Sequence, residues 1–325
     1  MVQRGRLAVD CTPVTSPRAR WRAPLLVAAF VALYAGLYRW LGPEAIPAPR
    51  ADHLRVVCWN LRNFPSDHDR AQIRHRLDQL APQVLALQEI RDPDELRALR
   101  PGWHWIASEH GGSHGPQRLV VGWDPAQVDV TDPIEHAELA MGGRIRPALS
   151  VHVRAHDGPD FYVVVVHLKA TRSGQPTRRQ QWPQLRDLVT DRLASGPDGE
   201  DDLLLLGDFN VAGGEDLTPE AERADLAEAL APAGLKPWTS AGGCTAYWDG
   251  TRRDRWWEPS TLDLVWSTGF DELPEPQRRA EPGTHCAQHG CAPFSSTEAH
   301  PDPDLHGISD HCPLVIDLPR RDDDP

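Results

Sequence analysis

Polar side chains of a few types recur where apolar runs stop. Asn60 closes VVCWN, Gln88 and Glu89 close VLALQE, His167 interrupts VVVVHLK, Asp208 and Asn210 follow four leucines in GDFN, and Asp310 and His311 precede CPLVIDL. Acids, amides and imidazoles at the ends of buried strands are costly unless they are solvated, paired or bound to a cation. Together they offer two chemistries. Carboxylate and amide oxygens suit a hard divalent cation that keeps much of its water. Imidazoles backed by a carboxylate suit proton transfer. Singly, each group has a plainer explanation: Gly, Asp and Asn are favoured turn residues, and charged side chains are mostly exposed. A turn alone does not explain four leucines feeding directly into Asp208.

The elements that must position these groups are short Val- and Leu-rich runs. Residues 54–59, 83–88, 118–123, 148–153, 161–168, 202–207, 262–266 and 312–318 read as strands. At least two helices fit between them. Residues 69–80 place Ile73, Leu77 and Leu80 on one face, and residues 177–193 place Trp182, Leu185, Leu188, Val189 and Leu193 similarly. Many strands, few helices and no regular alternation predict an α/β (α+β) fold of two packed β-sheets flanked by helices, a four-layer sandwich. No repeat of fixed period is present. The Pro- and His-rich segment 271–308 reads as a long loop or insertion, and 320–325 as an acidic tail.

Composition narrows the function. The 325-residue chain carries a net charge of −13, and because residues 1–41 hold six arginines against Asp10, a local +5, the remainder carries −18. Tight binding of nucleic acid by a broad basic face is therefore not supported, although a bound cation inverts the sign locally at a carboxylate-rich cleft. Six cysteines in no CxxC pair suggest neither a small disulfide scaffold nor a zinc site. Cys286 and Cys291 close a short loop and are expected to pair if the domain is exported.

From Ala23 to Tyr38 the chain is uncharged, and Arg39, Trp40 and Leu41 extend the run to about the minimum for a spanning helix. Five arginines precede it, which places residues 1–22 in the cytoplasm and everything after Leu41 outside. The expected organisation is a basic cytoplasmic segment (1–22), a transmembrane anchor (23–41), a stiff linker (42–52) containing Pro43, Pro47 and Pro49, a catalytic domain (53–319) and the tail. A cleaved signal peptide and a secreted product is the alternative, disfavoured by the proline-interrupted GPEAIPAPR that follows the run.

In order along the chain, WN (59–60), QE (88–89), HLK (167–169), GDFN (207–210), LD (262–263) and SDH (309–311) resemble the motifs of the endonuclease/exonuclease/phosphatase superfamily. That superfamily includes pancreatic-type deoxyribonucleases, abasic-site endonucleases, neutral sphingomyelinases and inositol polyphosphate 5-phosphatases. Any one motif is weak; six in order are strong. The resemblance implies that Glu89 and Asn60 hold Mg²⁺ (or Mn²⁺), with Asp310 as a further carboxylate toward the metal. It implies that Asp208 orients or deprotonates the attacking water and that Asn210 hydrogen-bonds the phosphate or that water. His311, paired with Asp263, and His167 would serve the phosphoryl oxygens or proton transfer. The implied reaction is in-line attack of water on phosphorus, with metal neutralising the charge that develops. Asp208 and His311 both qualify by type as the general base.

The substrate is less constrained. YWDGTRRDRWWEPSTLD, ending at Asp263, interleaves Arg252 and Arg255 with Trp256 and Trp257 as substrate-binding residues. Such a segment could bind phosphates and stack bases, enclose a quaternary ammonium head group, dip into a membrane interface, or simply pack as a structural loop. Lys169, Arg172, Arg178 and Arg179 follow His167 and favour a nuclease over a lipid phosphatase, while Arg118, Arg144 and Arg146 have no assigned role. The expected partners are a phosphoester substrate, nucleic acid before lipid head group, and the membrane through the N-terminal helix; no protein partner is implied. A phospholipid or sphingomyelin phosphodiesterase or phosphatase, and a catalytically inert binding domain on a membrane stalk, are the alternatives. Loss of motif residues would favour the inert domain, and none is lost.

Overall fold

The computed structural model describes residues 46–113, 115–196, 200–240, 243–250, 254–271 and 273–321. The segments expected as cytoplasmic and membrane-spanning, and Arg252, lie outside them. Among the described residues no helix is long and apolar enough to cross a membrane.

Sixteen strands are formed among the described residues. In chain order they are β1 His53–Phe64, β2 Val84–Ile90, β3 His104–Ala107, β4 Arg118–Trp123, β5 Val128–His136, β6 Ala148–Ala155, β7 Asp160–His167 and β8 Leu203–Asp208. Then follow β9 Lys236–Pro237, β10 Thr239–Ser240, β11 Ala246–Trp248, β12 Trp256–Ser260, β13 Asp263–Thr268, β14 Arg279–Pro282, β15 Phe294–Ser295 and β16 Leu314–Pro319. The helices are α1 Arg70–Leu80, α2 Asp94–Leu99, α3 Gln175–Ala194, α4 Pro219–Leu230, α5 Thr284–His289 and α6 Pro303–Gly307.

Two large sheets pack face to face. One is ordered β10-β14-β16-β1-β2-β4-β3, the other β5-β6-β7-β8-β13-β9, and a small third sheet, β11-β12-β15, lies apart from both ladders. Alternation along the strands sorts residues between layers. Leu54, Val56 and Cys58 of β1 join Val163, Val165, Leu204 and Leu206 in the core between the sheets. The odd-numbered Val57, Trp59 and Leu61 face outward onto Ile73, Leu77 and Leu80 of α1. Leu203 and Leu205 face outward onto Trp182, Leu185 and Val189 of α3 and Leu226 of α4. Because both faces of each central strand are covered, the strands read as continuous apolar runs. The order helix, sheet, sheet, helix is the four-layer arrangement expected.

Two sequence expectations are corrected. The segment 271–308 is not an unstructured insertion: it supplies β14, β15, α5 and α6, elements of two to six residues that are too short to leave a periodic signature. The disulfides join Cys244 to Cys291 and Cys286 to Cys312, not Cys286 to Cys291. Cys286 lies within α5 and faces the start of the last strand, whereas Cys291 lies beyond the left-handed turn at Gly290 and reaches back toward β11. The linker is docked where it is described: Ile46 packs on the α1 side of the core, and the Arg55 guanidinium donates to the carbonyls of Pro47 and Ala48 at 2.8 and 2.7 Å.

Candidate active site

The chemistry-bearing groups obey the same alternation as the core. Asn60 continues the inward row of β1, His167 that of β7, Asp208 that of β8, and Asp263 begins that of β13. His167 and Asp263 are both register partners of Asp208 on adjacent strands. They therefore form one rung at the end of the inter-sheet core. Gly207 permits this: its φ is +140°, and a Cβ there would meet the Val166 carbonyl oxygen at 2.0 Å, so no larger side chain fits.

Glu89 breaks the alternation. The inward position is taken by Gln88, fully buried beside the Cys58 thiol and the Ala86 carbonyl. Glu89 adopts φ +61°, and the ladder with β4 shifts register between Leu87 and Ile90. A residue that would point away is thereby re-aimed toward the rung, leaving its carboxylate 3.8 Å from His167 Nε2.

Asp208 is the hub. Its Oδ2 accepts from Asn60 Nδ2 at 3.0 Å and lies 3.3 Å from His167 Nε2 and 3.8 Å from His311 Nε2. Its Oδ1 accepts the Asn210 backbone N–H at 2.9 Å. His311 Nδ1 meets Asp263 Oδ2 at 2.8 Å, which turns Nε2 toward Asp208. Thr245 Oγ1 accepts the N–H groups of Leu262 and Asp263 and so holds that carboxylate. Ser309 Oγ donates to the Asn60 carbonyl at 2.7 Å and accepts the His311 N–H at 3.1 Å, tying the segment that leads into β16 to the end of its neighbour β1. Asn210, with φ +53°, donates from Nδ2 to the Leu168 carbonyl at 3.3 Å. Asp310 is half-buried; its carbonyl accepts the Tyr247 N–H, and its carboxylate lies 3.5 Å from Ser309 Oγ.

Burial dominates the electrostatics. Asp208 is raised to about 7, chiefly by burial, with Asp263 and Glu89 adding to the rise and the His311 and Arg146 charges opposing it. Burial also disfavours the His311 imidazolium, but the carboxylates of Asp263 and Asp208 outweigh it and hold His311 well above the ordinary histidine range. His167 is driven well below that range by burial and then by Arg146 and His311, so it stays neutral.

The donor set suits a divalent cation. The ligand atoms of Asp208, Asp263 and His311 lie within 4.8 Å of one another. Glu89 and Asn60 form an adjoining oxygen-bearing pair, with Asn60 Nδ2 3.4 Å from Glu89 Oε1. Asn60 turns its NH₂ toward these carboxylates while its Oδ1 accepts the Arg62 N–H at 2.9 Å, leaving that oxygen one further lone pair.

Sequence reasoning left two groups without a role. Gln117 donates to Glu89 Oε2 at 2.9 Å and accepts from Arg146 Nη1 at 2.8 Å. Arg146 also donates to the carbonyls of His167 and Leu168. With Arg144 and Lys169 they line a cavity of about 200 Å³ between Glu89 and His167. Neither sits at the end of an apolar run, so neither carries the signal that marked the others.

Of the basic residues after His167 that favoured a nuclease, Lys169 lines this cavity, while the three arginines have partners within the fold. Arg178 is fully buried, forks onto Glu222 at 2.8 Å through two nitrogens and donates to the carbonyls of Lys169, Thr171 and Gly213. It clamps the loops that leave His167 and Asn210. Arg179 pairs with Asp225, and Arg172 donates to the Gly214 carbonyl. Of the Trp-rich segment, Trp257 is half-buried and donates toward the Ser296 carbonyl, while Arg255 and Trp256 are exposed.

The family model described as "Endonuclease/Exonuclease/phosphatase family" matches residues 57–311. No curated protein matches the chain by sequence search. Among solved structures, the human Nocturnin catalytic domain is 18% identical, with TM-score 0.55, covering 83% of this chain and 94% of that one. D. rerio TDP2 complexed with single strand DNA product is 17% identical, with TM-score 0.54, covering 82% and 98%. The mannosyl-6-phosphatase Bt3783 of Bacteroides thetaiotaomicron is 15% identical, with TM-score 0.54, covering 81% and 98%. At these identities the likeness is one of fold.

Proposed function

The chain belongs to the Endonuclease/Exonuclease/phosphatase family and is a phosphoester hydrolase, and from that premise we propose a metal-dependent nuclease borne outside the cytoplasm on its N-terminal anchor. The observation that carries the mechanism is the unequal charge state of two neighbours: Asp208 titrates near neutrality, while Asp263 keeps His311 protonated. Asp208 is then the group able to accept the proton of the attacking water. His311, already an imidazolium, donates from Nε2 to a phosphoryl oxygen, and Asp263, accepting from Nδ1, fixes the ring orientation that allows it. Neutral His167 and the Asn210 side chain position the phosphate.

Glu89 and Asn60, which adjoin each other, would hold Mg²⁺ or Mn²⁺, with Asp310 as a further carboxylate toward the metal. When bound, such a cation supplies neutralisation of charge on the phosphoryl and leaving oxygens. Two disulfides in one domain support an oxidising location, in keeping with the arginines that precede residues 23–41. Nucleic acid is favoured over lipid because one neighbour in fold carries a single strand DNA product; a sugar phosphatase among the neighbours makes the choice an experimental one.

The test is Mg²⁺-supported hydrolysis by the full chain of plasmid DNA, single-stranded DNA, sphingomyelin, an inositol phosphate and mannose 6-phosphate. Cleavage of DNA that stops in excess chelator and in Glu89→Ala is expected. Turnover of only the lipid or a monoester would replace the nuclease reading. A reporter fused after Pro325 and active only in the cytoplasm would overturn the topology.

A further inference from the structure

Single exposed hydrophobic side chains are ordinary, but here two indoles share one small sheet that is bridged to His311. Trp248 is 53% and Trp256 50% exposed. In the β11–β12 ladder Trp248 is opposite Glu258, and Trp256 lies two residues before Glu258, so both indoles stand on one face of the small sheet. Tyr247 and Trp257, on the other face, pack into the core formed with Phe294 and the disulfides. A Cβ on Gly250 would lie 3.2 Å from Trp248 Cζ2. The bare glycine therefore lets that indole lie along the strand toward the position across from Trp256.

This face is joined to the catalytic groups by backbone. Ala246 forms a β-bridge with His311, and the Tyr247 N–H donates to the Asp310 carbonyl at 2.8 Å. Trp248 is two residues along the same strand, roughly 7 Å from the bridge at the usual strand rise. A chain whose phosphate reached His311 would bring its next units over the indoles.

We propose that Trp248 and Trp256 form a stacking platform for the bases of single-stranded nucleic acid flanking the scissile phosphate. This rests on the nuclease reading and adds to it the form of the substrate. Charge points the same way. A region carrying −18 after residue 41 gains little from counterion release, so affinity must come from contacts that are not ionic, and stacking on aromatic rings is one that every base offers whatever its sequence. Only an unpaired strand presents base faces for it. A lipid surface is disfavoured because Glu258 shares the face and accepts the Gly250 N–H at 2.9 Å, and burying that carboxylate in an interface is costly.

The experiment compares steady-state cleavage by the full chain of two single-stranded oligonucleotides of equal length, one with bases and one abasic throughout, with bis(p-nitrophenyl) phosphate as a check on hydrolysis and liposome co-sedimentation alongside. The wild type is expected to show a much lower KM for the strand with bases. Trp248→Ala and Trp256→Ala should each shrink that advantage about tenfold, the equivalent of ~1.4 kcal/mol, and Trp248→Phe should restore most of it. Equal KM values for both strands, or an advantage unmoved by either alanine, would overturn the platform and leave the nuclease reading standing. Hydrolysis of the small diester with neither strand cleaved would remove both. Loss of liposome binding in the alanine variants with no change in KM would assign the face to lipid instead.

Discussion

Asp263 stands directly opposite Asp208 in the β8–β13 ladder, yet only Asp263 has an imidazole nitrogen at close hydrogen-bonding distance, His311 Nδ1 at 2.8 Å. Two carboxylates facing each other repel. The close partner of Asp263 is the His311 imidazolium, while burial raises Asp208 to about 7 and leaves it able to bind a proton. Replacing Asp263 by Asn should reverse the preferred tautomer of His311 and lower turnover about 10²–10⁴-fold with little change in binding. Asp208→Ala should cost at least as much, and Asp208→Ala with His311→Ala little more than the worse single change. Single-turnover rates at saturating substrate, with circular dichroism to confirm folding, decide this; near-wild-type rates in folded single variants would mean that the rung is structural only.

The elevated Asp208 also sets a pH profile. Its carboxyl is raised to about 7, chiefly by burial, so the fraction able to accept a proton falls as pH drops through neutrality, and kcat/KM should fall with it. A cation beside the carboxylate favours the ionised form, so the midpoint should move to lower pH as divalent ion is added. Profiles at two metal concentrations test both statements, and a rate independent of pH down to 5 at low metal would contradict them.

Cys286–Cys312 ends one residue from His311. Opening it by Cys286→Ser, or by reductant, should destabilise the domain by about 3 kcal/mol and lower turnover, because the segment carrying His311 loses its tie to α5. Urea unfolding and turnover measured with and without dithiothreitol check this; identical curves would show that the bridge is not needed.

His285, buried against Cys312 Sγ at 3.2 Å, is lowered to about 4, chiefly by burial. The unfolded chain takes up this proton more readily than the folded one, so the stability is complete above the unfolded value of about 6.5 and is lost as pH falls from there toward 4. The contribution at stake is on the order of 3 kcal/mol. Urea midpoints between pH 7 and 4 should fall, and the slope should flatten in His285→Gln; equal slopes would refute the assignment.

How much of this was legible follows from what each group needs. Asn60, His167, Asp208 and Asp263 sit on the inward row of long apolar strands, so the runs that announce the sheets also announce the residues at their ends. The place of Glu89 was legible from its motif, but its aim was not, because a left-handed backbone at a register shift carries no residue signature beyond the shift itself. Gln117 and Arg146 act through contacts between segments distant in sequence, which no local pattern reports. Arg178 misled for a related reason. A cluster of arginines reads as a solvated face until a partner such as Glu222, 44 residues away, is placed against it. The small sheet and the short elements after Asp271 were lost because two to six residues hold too few periods of either pattern to stand out from chance.

Cys58 is the free cysteine among the described residues, and it is buried in the middle of β1. Four other cysteines form two particular pairs, and in the oxidising location proposed above a fifth thiol competes with them for as long as it can be reached. Burial also raises its pKa well above the usual thiol range, so once β1 lies between β16 and β2 it is neither accessible nor reactive. Correct pairing therefore depends on sequence of events: the central sheet must close over Cys58 before oxidation proceeds, and an oxidant that acts faster than the sheet assembles will trap scrambled chains. Production of the protein should accordingly improve when oxidation is delayed, and Cys58→Ala should relax that requirement.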